Sequence, residues 1–187
     1  MVDRAVGVEI ERKFLVAGDA WRDAVVQSQR LVQGYLTRAS QPDQACSVRV
    51  RIGAQSAWLN IKSAVAGIER REYEYAIPRA DAEAILAEFC KRIVEKVRHH
   101  APYGGRTFEI DEFSGDNAGL VIAELELESA DAPFDRPPWL GREVSDLPRY
   151  YNTNLLHRPY SLWSAAERRS EPTRPEPRRP APMDDAC

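Results

Sequence analysis

The sequence predicts an α+β domain dominated by antiparallel β-structure, and three observations predict it. Short runs rich in Val, Ile, Leu and Tyr recur with charges at every second position. Turn-forming clusters such as SQPDQ, GAQSA, AVAG, PYGG and SGDNAG separate them. One segment, IPRADAEAILAEFCKR, switches from a period of two to helical spacing.

Eight runs read as strands, near 7–16, 30–38, 46–53, 57–63, 68–77, 93–99, 106–114 and 119–129. In the first, VEIERKFLV, alternation sends Glu9, Glu11, Lys13 and Leu15 to one face and Val8, Ile10, Phe14 and Val16 to the other. The second, LVQGYLT, has a polar side of Gln33, Tyr35 and Thr37. In the third and fourth, Arg49 joins Arg51 against Val48, Val50 and Ile52, and Asn60 joins Lys62 against Leu59 and Ile61. The fifth aligns Arg70, Glu72 and Glu74. Between it and the sixth lies the helical segment, with Ile85, Leu86 and Phe89 on one face and Asp81 placed to cap its first turn. The sixth strand aligns Lys96 with Arg98, the seventh Glu109 with Asp111, and the eighth Glu124, Glu126 and Glu128. Shorter helices are expected from Asp19 through Val25 and after Pro138 and Arg149.

A length of 187 residues suits one domain with a sizeable core, and no apolar run approaches the eighteen or so residues of a membrane span. From residue 164 the chain is rich in Pro and Arg and poor in bulky apolar residues, so 164–187 is expected to be a disordered tail. The N-terminal residues lack the apolar core of a secretory signal. The cysteines, Cys46, Cys90 and Cys187, are odd in number and widely spaced, which points to a cytoplasmic setting. A net charge of −3 gives no global attraction to nucleic acid, so any anion must be bound by locally concentrated cations.

Two architectures accommodate ions on alternate positions. The ionic faces point outward from a sandwich, or the strands close into a barrel with an ionic lumen and an apolar exterior covered by helices. The selected positions are almost exclusively Glu, Asp, Lys or Arg, whereas a solvent face is usually more varied. An ionic lumen requires pairing or ligation, because unpaired charges out of water are costly. Its lining would hold seven cations (Lys13, Arg49, Arg51, Lys62, Arg70, Lys96, Arg98) and nine acids. Two divalent ions would turn that acidic surplus into an anion trap. Carboxylates without His or Cys suit Mg²⁺ or Mn²⁺, and Arg forks suit phosphate oxygens, so the expected ligand is a metal-bound chain of phosphates.

The ordered set Glu9-Ile10-Glu11-Arg12-Lys13, RVR, NIKS, REYEY, VEKVR, FEID, AELELE and RYYN resembles the CYTH superfamily of triphosphate tunnel metalloenzymes over roughly residues 5–160. QGYL and the PPW-x-G stretch at Pro137 to Gly141 are similar to its short bacterial members, which are inorganic triphosphatases. The resemblance implies an eight-stranded antiparallel tunnel over residues 5–163, binding a small polyphosphate and divalent metal; charge and the lack of an apolar span give no reason to expect a nucleic acid or membrane partner. It assigns phosphate binding to Lys13, Tyr35, Arg49, Arg51, Lys62, Arg70, Lys96 and Arg98. It assigns metal to Glu9, Glu11, Glu124 and Glu126, with Glu109 and Asp111 as further ligands. Glu9, Glu11 and Lys96 are the expected catalytic groups: a metal-activated water attacks, or Lys96 serves as base if Arg98 and burial depress its pKa. An adenylate cyclase or thiamine triphosphatase of the same superfamily, or a non-catalytic polyphosphate-binding module, are the alternatives. His99, His100 and His157 match no metal spacing, and Leu147-Pro148 stands where relatives often carry an acid before the RY pair.

Overall fold

The computed structural model describes residues 6–37, 46–63 and 68–168. Nine strands run β1 (Val6–Val16), β2 (Gln27–Tyr35), β3 (Cys46–Ile52), β4 (Ala57–Ser63), β5 (Glu69–Ile77), β6 (Ile93–Tyr103), β7 (Arg106–Phe113), β8 (Val121–Leu127) and β9 (Leu140–Glu143). Three helices, α1 (Arg79–Phe89), α2 (Asn152–His157) and α3 (Ala165–Arg168), and several 3-10 turns complete the described chain.

The first eight strands close into a ring in the order β5-β4-β3-β2-β6-β7-β8-β1, with β1 also pairing β5, and every pairing is antiparallel. Closure removes both free edges. The closing seam sets Glu9 opposite Arg70, while the other edge of β1 sets Lys13 opposite Glu124. Directly opposed residues of antiparallel strands point to the same face. Each ladder therefore carries the ionic positions round the ring together: Arg49 faces Asn60, Asn60 faces Glu74, Lys62 faces Glu72, and Arg98 faces Asp111.

The exterior carries two apolar areas, and both are covered. Over β3 and β4, α1 sets Ala82, Ile85 and Leu86 against Val50, Ile52, Ala57 and Leu59. Over β1, β7 and β8, Phe14, Phe108, Ile110, Ala123, Leu125 and Leu127 are covered by Trp21 of the 3-10 turn Ala20–Ala24 and by Phe134, Trp139 and Leu140. Helices thus cover the exterior at α1 and, through Trp21, at the short 3-10 helix expected from Asp19 through Val25; an irregular segment does the rest. Phe89, expected on the packed face of α1, is 64% exposed because the sheet below the last turn is met by Leu86 and Cys90 instead. Asp81 lies in the first turn, where it favours the positive helix end, and no side chain caps α1.

A third cluster lies on the face that carries the ions. Leu15, Val94, Phe113 and Ile122 share parity with Lys13, Lys96, Asp111 and Glu124, yet they pack with Val144, Tyr150, Leu155 and Trp163. The lumen therefore has an apolar floor, built from strand residues and from α2 and its flanking turns.

Several boundaries differ from the sequence reading. β2 begins three residues earlier, residue 38 lies outside the described residues, and β6 continues to Tyr103. The segment after Pro138, expected to be helical, is β9, which pairs with Phe14 and Val16 of β1 beyond the stretch that β5 occupies. That exposed edge outweighs local propensity. A Cβ at Gly141 would come within 2.8 Å of the Leu15 carbonyl oxygen, so this close approach requires glycine. Of the expected tail, Ala165–Arg168 form a helical turn, α3, in which Glu167 pairs with Arg158; residues 169–187 lie outside the described residues.

Candidate active site

The lumen above the floor gathers the predicted polar groups, and their contacts divide it into two sides. On the β6–β8 side, Lys96 is 2% exposed and pairs with Asp111. Arg98 also grips Asp111, at 2.7 Å from both Nε and Nη2, and pairs with Glu109 and with Glu124. Lys13 reaches across β1 to Glu11 and Glu124. On the β3–β5 side, Arg51 meets Glu74 at 2.7 Å, Lys62 meets Glu9 at 2.5 Å and Glu72 at 3.2 Å, and Arg49 lies 3.7 Å from Glu72. Asn60, fully buried, donates from Nδ2 to Glu72 at 2.8 Å and to Glu74, holding both carboxylates in place. Tyr35 stands opposite Arg49 and hydrogen-bonds it. Arg70 stacks on the Tyr151 ring at 4.8 Å, which ties the lumen to the floor.

The electrostatic consequences follow from those contacts. Burial alone would lower Lys13, but Glu11 and Glu124 outweigh it and raise its pKa. Burial likewise opposes the charge on Arg98, and Asp111, Glu124 and Glu109 hold it well above its ordinary value. Burial opposes the Glu124 carboxylate, yet Lys13, Lys96 and Arg98 keep it well below the usual range. Lys96 differs from its neighbours: burial and the adjacent Arg98 lower it despite Asp111 and Glu124. Burial and Arg49 lower Arg51 in the same way. Glu126 is raised, by partial burial and by Glu9, Glu109, Glu11 and Glu72, so this quarter of the lumen holds surplus negative charge.

The structure thus brings together the predicted residues Glu9, Glu11, Lys13, Tyr35, Arg49, Arg51, Lys62, Arg70, Lys96, Arg98, Glu109, Asp111, Glu124 and Glu126 on one inner face. It separates Glu128, the last acid of the β8 row, which is 76% exposed in its side chain and pairs with Arg106 outside the ring. Asp111 and Glu124 each meet two cations; Glu9, Glu11 and Glu109 each pair with one cation and also crowd Glu126, which makes the acid-rich quarter. Among the described residues no three acidic, His or Cys side chains gather tightly enough to hold an ion unaided. The donors nevertheless fit a hard cation: they are all carboxylate oxygens, and Glu126 is raised by burial and by four neighbouring acids, a crowding that added positive charge would relieve. His100, unassigned in the sequence, shares the inner face with Arg98 and lies 3.4 Å from Glu109; strand parity was the signal for it. His99 points the other way, onto Trp21.

A closed antiparallel ring whose inner wall alternates Lys and Arg with Glu and Asp defines a tunnel-type protein with an ionic lumen. The chain belongs to the CYTH domain family, whose model matches residues 7–158. It is 44% identical over 156 residues to an inorganic triphosphatase of Acetivibrio thermocellus, covering 83% of this chain and 97% of that protein. An inorganic triphosphatase of Nitrosomonas europaea is 37% identical over 150 residues, covering 79% and 95%. A crystal structure of an inorganic triphosphatase superposes with a TM-score of 0.59 at 36% identity, covering 79% of this chain and 93% of that one. A putative adenylate cyclase from Bacillus halodurans shares the fold alone, with a TM-score of 0.53 at 15% identity over 66% of this chain and 82% of that one.

Proposed function

We propose that this protein hydrolyses inorganic triphosphate, cleaving a terminal phosphoric anhydride bond with water, and that it acts more weakly on nucleoside triphosphates. The observation that carries the reading is the convergence of seven Lys and Arg side chains from β1, β3, β4, β5 and β6 on the inner face of one closed ring. The names of its relatives support it. Phosphoryl transfer needs little covalent help from a protein; positioning and neutralisation of oxygen charge suffice.

Arg49, Arg51 and Arg98 offer planar forks for phosphate oxygens, and Lys13, Lys62 and Arg70 add positive charge along the chain of phosphates. Binding an anion here exchanges internal carboxylate partners for phosphate oxygens, so the lumen is charged in advance of the substrate. Asp111 fixes both Lys96 and Arg98. Lys96, lowered by burial and by Arg98, is the group suited to hold and pass a proton at Nζ. The apolar floor of Leu15, Val94, Phe113 and Ile122 borders the ionic stretch of the lumen.

Triphosphatases of this family are in general dependent on divalent metal. Glu9, Glu11, Glu109 and Glu126 would hold Mg²⁺ or Mn²⁺, with two ions as the expected number, and the metal would neutralise phosphate charge and acidify a water. The substrate is a small polyphosphate. No described helix is long and apolar enough to cross a membrane, and the scattered cysteines support a cytoplasmic setting.

The test is phosphate release from tripolyphosphate, ATP and thiamine triphosphate with Mg²⁺ or Mn²⁺, for the native chain, Glu11→Gln and Arg51→Ala. Tripolyphosphate should be the best substrate, and each variant should lose roughly 100-fold or more in kcat/KM. Excess metal should partly restore Glu11→Gln but not Arg51→Ala. Undiminished turnover in either variant would refute its assignment.

A further inference from the structure

Gln33 lies in the middle of β2 with 1% of its surface exposed, and no protein acceptor reaches its amide Nε2. Buried amide donors are almost always paired, so one left without an acceptor calls for one from elsewhere. The register sets Gln33 opposite Arg51 on β3 and opposite Val94 on β6, which places its side chain on the inner face where the ionic wall meets the floor. Arg51 and Arg49 each carry an Nε that is buried and likewise reached by no protein acceptor. Three N–H donors on two neighbouring strands therefore share one unmet requirement. On the opposite wall the situation differs, since Lys13, Lys96 and Arg98 are each paired with acids among Glu11, Glu124, Asp111 and Glu109.

We propose that Gln33 is a substrate-binding residue that donates from Nε2 to an oxygen of the bound triphosphate, beside Arg51. The proposal rests on the reading of the lumen as a triphosphate site and deepens it. Arginines attract any polyanion entering the ring. A neutral amide adds little long-range attraction, so its contribution depends on an oxygen standing at one place, and it fixes how far the chain of phosphates slides towards the floor. Gly34, the next residue, is pinned beneath Leu86 and Cys90 of the α1 segment, which holds β2 and therefore the amide in position.

Two variants test this. Gln33→Met keeps the volume and removes the donor; Gln33→Glu keeps the shape and turns an acceptor towards the phosphates. Thermal unfolding with and without tripolyphosphate is measured alongside KM and kcat for tripolyphosphate hydrolysis. Ligand-free Gln33→Met should unfold at or above the native midpoint, because it loses no internal partner. Its KM should rise about tenfold, with a smaller change in kcat and a reduced upward shift of the midpoint by tripolyphosphate. Gln33→Glu should raise KM further still, by about 100-fold, through repulsion. A Gln33→Met protein that loses stability while its KM stays native would show that the amide is satisfied within the fold, and would overturn the proposal. So would a Gln33→Glu protein with native KM. A native protein that neither binds nor hydrolyses tripolyphosphate would overturn both this inference and the function it rests on.

Discussion

Lys96 shows how much a single side chain owes to its surroundings. It faces Arg98 on its own strand, Asp111 and the Phe113 ring on β7, and Glu124 on β8. Two carboxylates favour its charged form, yet burial and the guanidinium outweigh them and lower it. The sign for stability follows directly. The unfolded chain titrates this lysine near the ordinary 10.5, so between the folded and unfolded values the unfolded state binds more protons. Stability should therefore rise with pH through that window, and the rise should be smaller in Lys96→Met. For catalysis, kcat of Lys96→Met should fall by roughly 100-fold or more, with the loss of a pH-dependent limb lying below the ordinary lysine range. Calorimetry and a pH–rate profile check the two statements; an unchanged profile in Lys96→Met would remove Lys96 from proton transfer. The charged residues of this site were legible from alternation alone, because ions at every second position of a strand must share a face. What alternation left unsaid was who pairs with whom. Nothing in the sequence distinguishes Asp111, held by two cations, from Glu126, set among other acids.

At the scale of elements, the covering of the sheet by α1 depends on one small residue. A Cβ at Gly34 would fall within 2.5 Å of Cys90 Sγ and 2.7 Å of Cys90 Cβ, and closer still to Leu86 Cδ2. Helix and strand here approach more nearly than any side chain permits. Gly34→Ala should therefore destabilise the protein by about 1–3 kcal/mol through overpacking, seen as a drop of several degrees in Tm. Combining it with Leu86→Ala should recover part of the loss, because the two changes share one space. A Gly34→Ala protein of native Tm would show that α1 moves away freely. Strands and α1 were readable from periodicity. β9 was not, since LGRE is short and lacks alternation; it is a strand because β1 leaves an edge open beyond Ile10. Arg12, which grips Glu143 from β1, strengthens that pairing.

For the whole molecule, the decisive event is closure. Alternation predicts an ionic face but does not say whether that face looks in or out. The answer lies in the pairing of Val6–Ile10 with Glu69–Tyr73, a contact between segments some sixty residues apart that no local pattern specifies. The likeness to a known family supplied it. Closure also explains why the same strand face changes character along its length: above the floor it is ionic, and at Leu15, Val94, Phe113 and Ile122 it becomes core. Inside the ring, internal carboxylates balance the cations, so the fold tolerates a density of charge that an unpaired interior could not. The most direct measurement is a crystal structure of Lys96→Met grown with tripolyphosphate and Mg²⁺. The phosphates should lie inside the ring, touching Arg49, Arg51 and Arg98, with metal against the carboxylates of Glu9, Glu11 and Glu126. Tripolyphosphate bound on the outer surface, with every internal ion pair intact, would contradict the account.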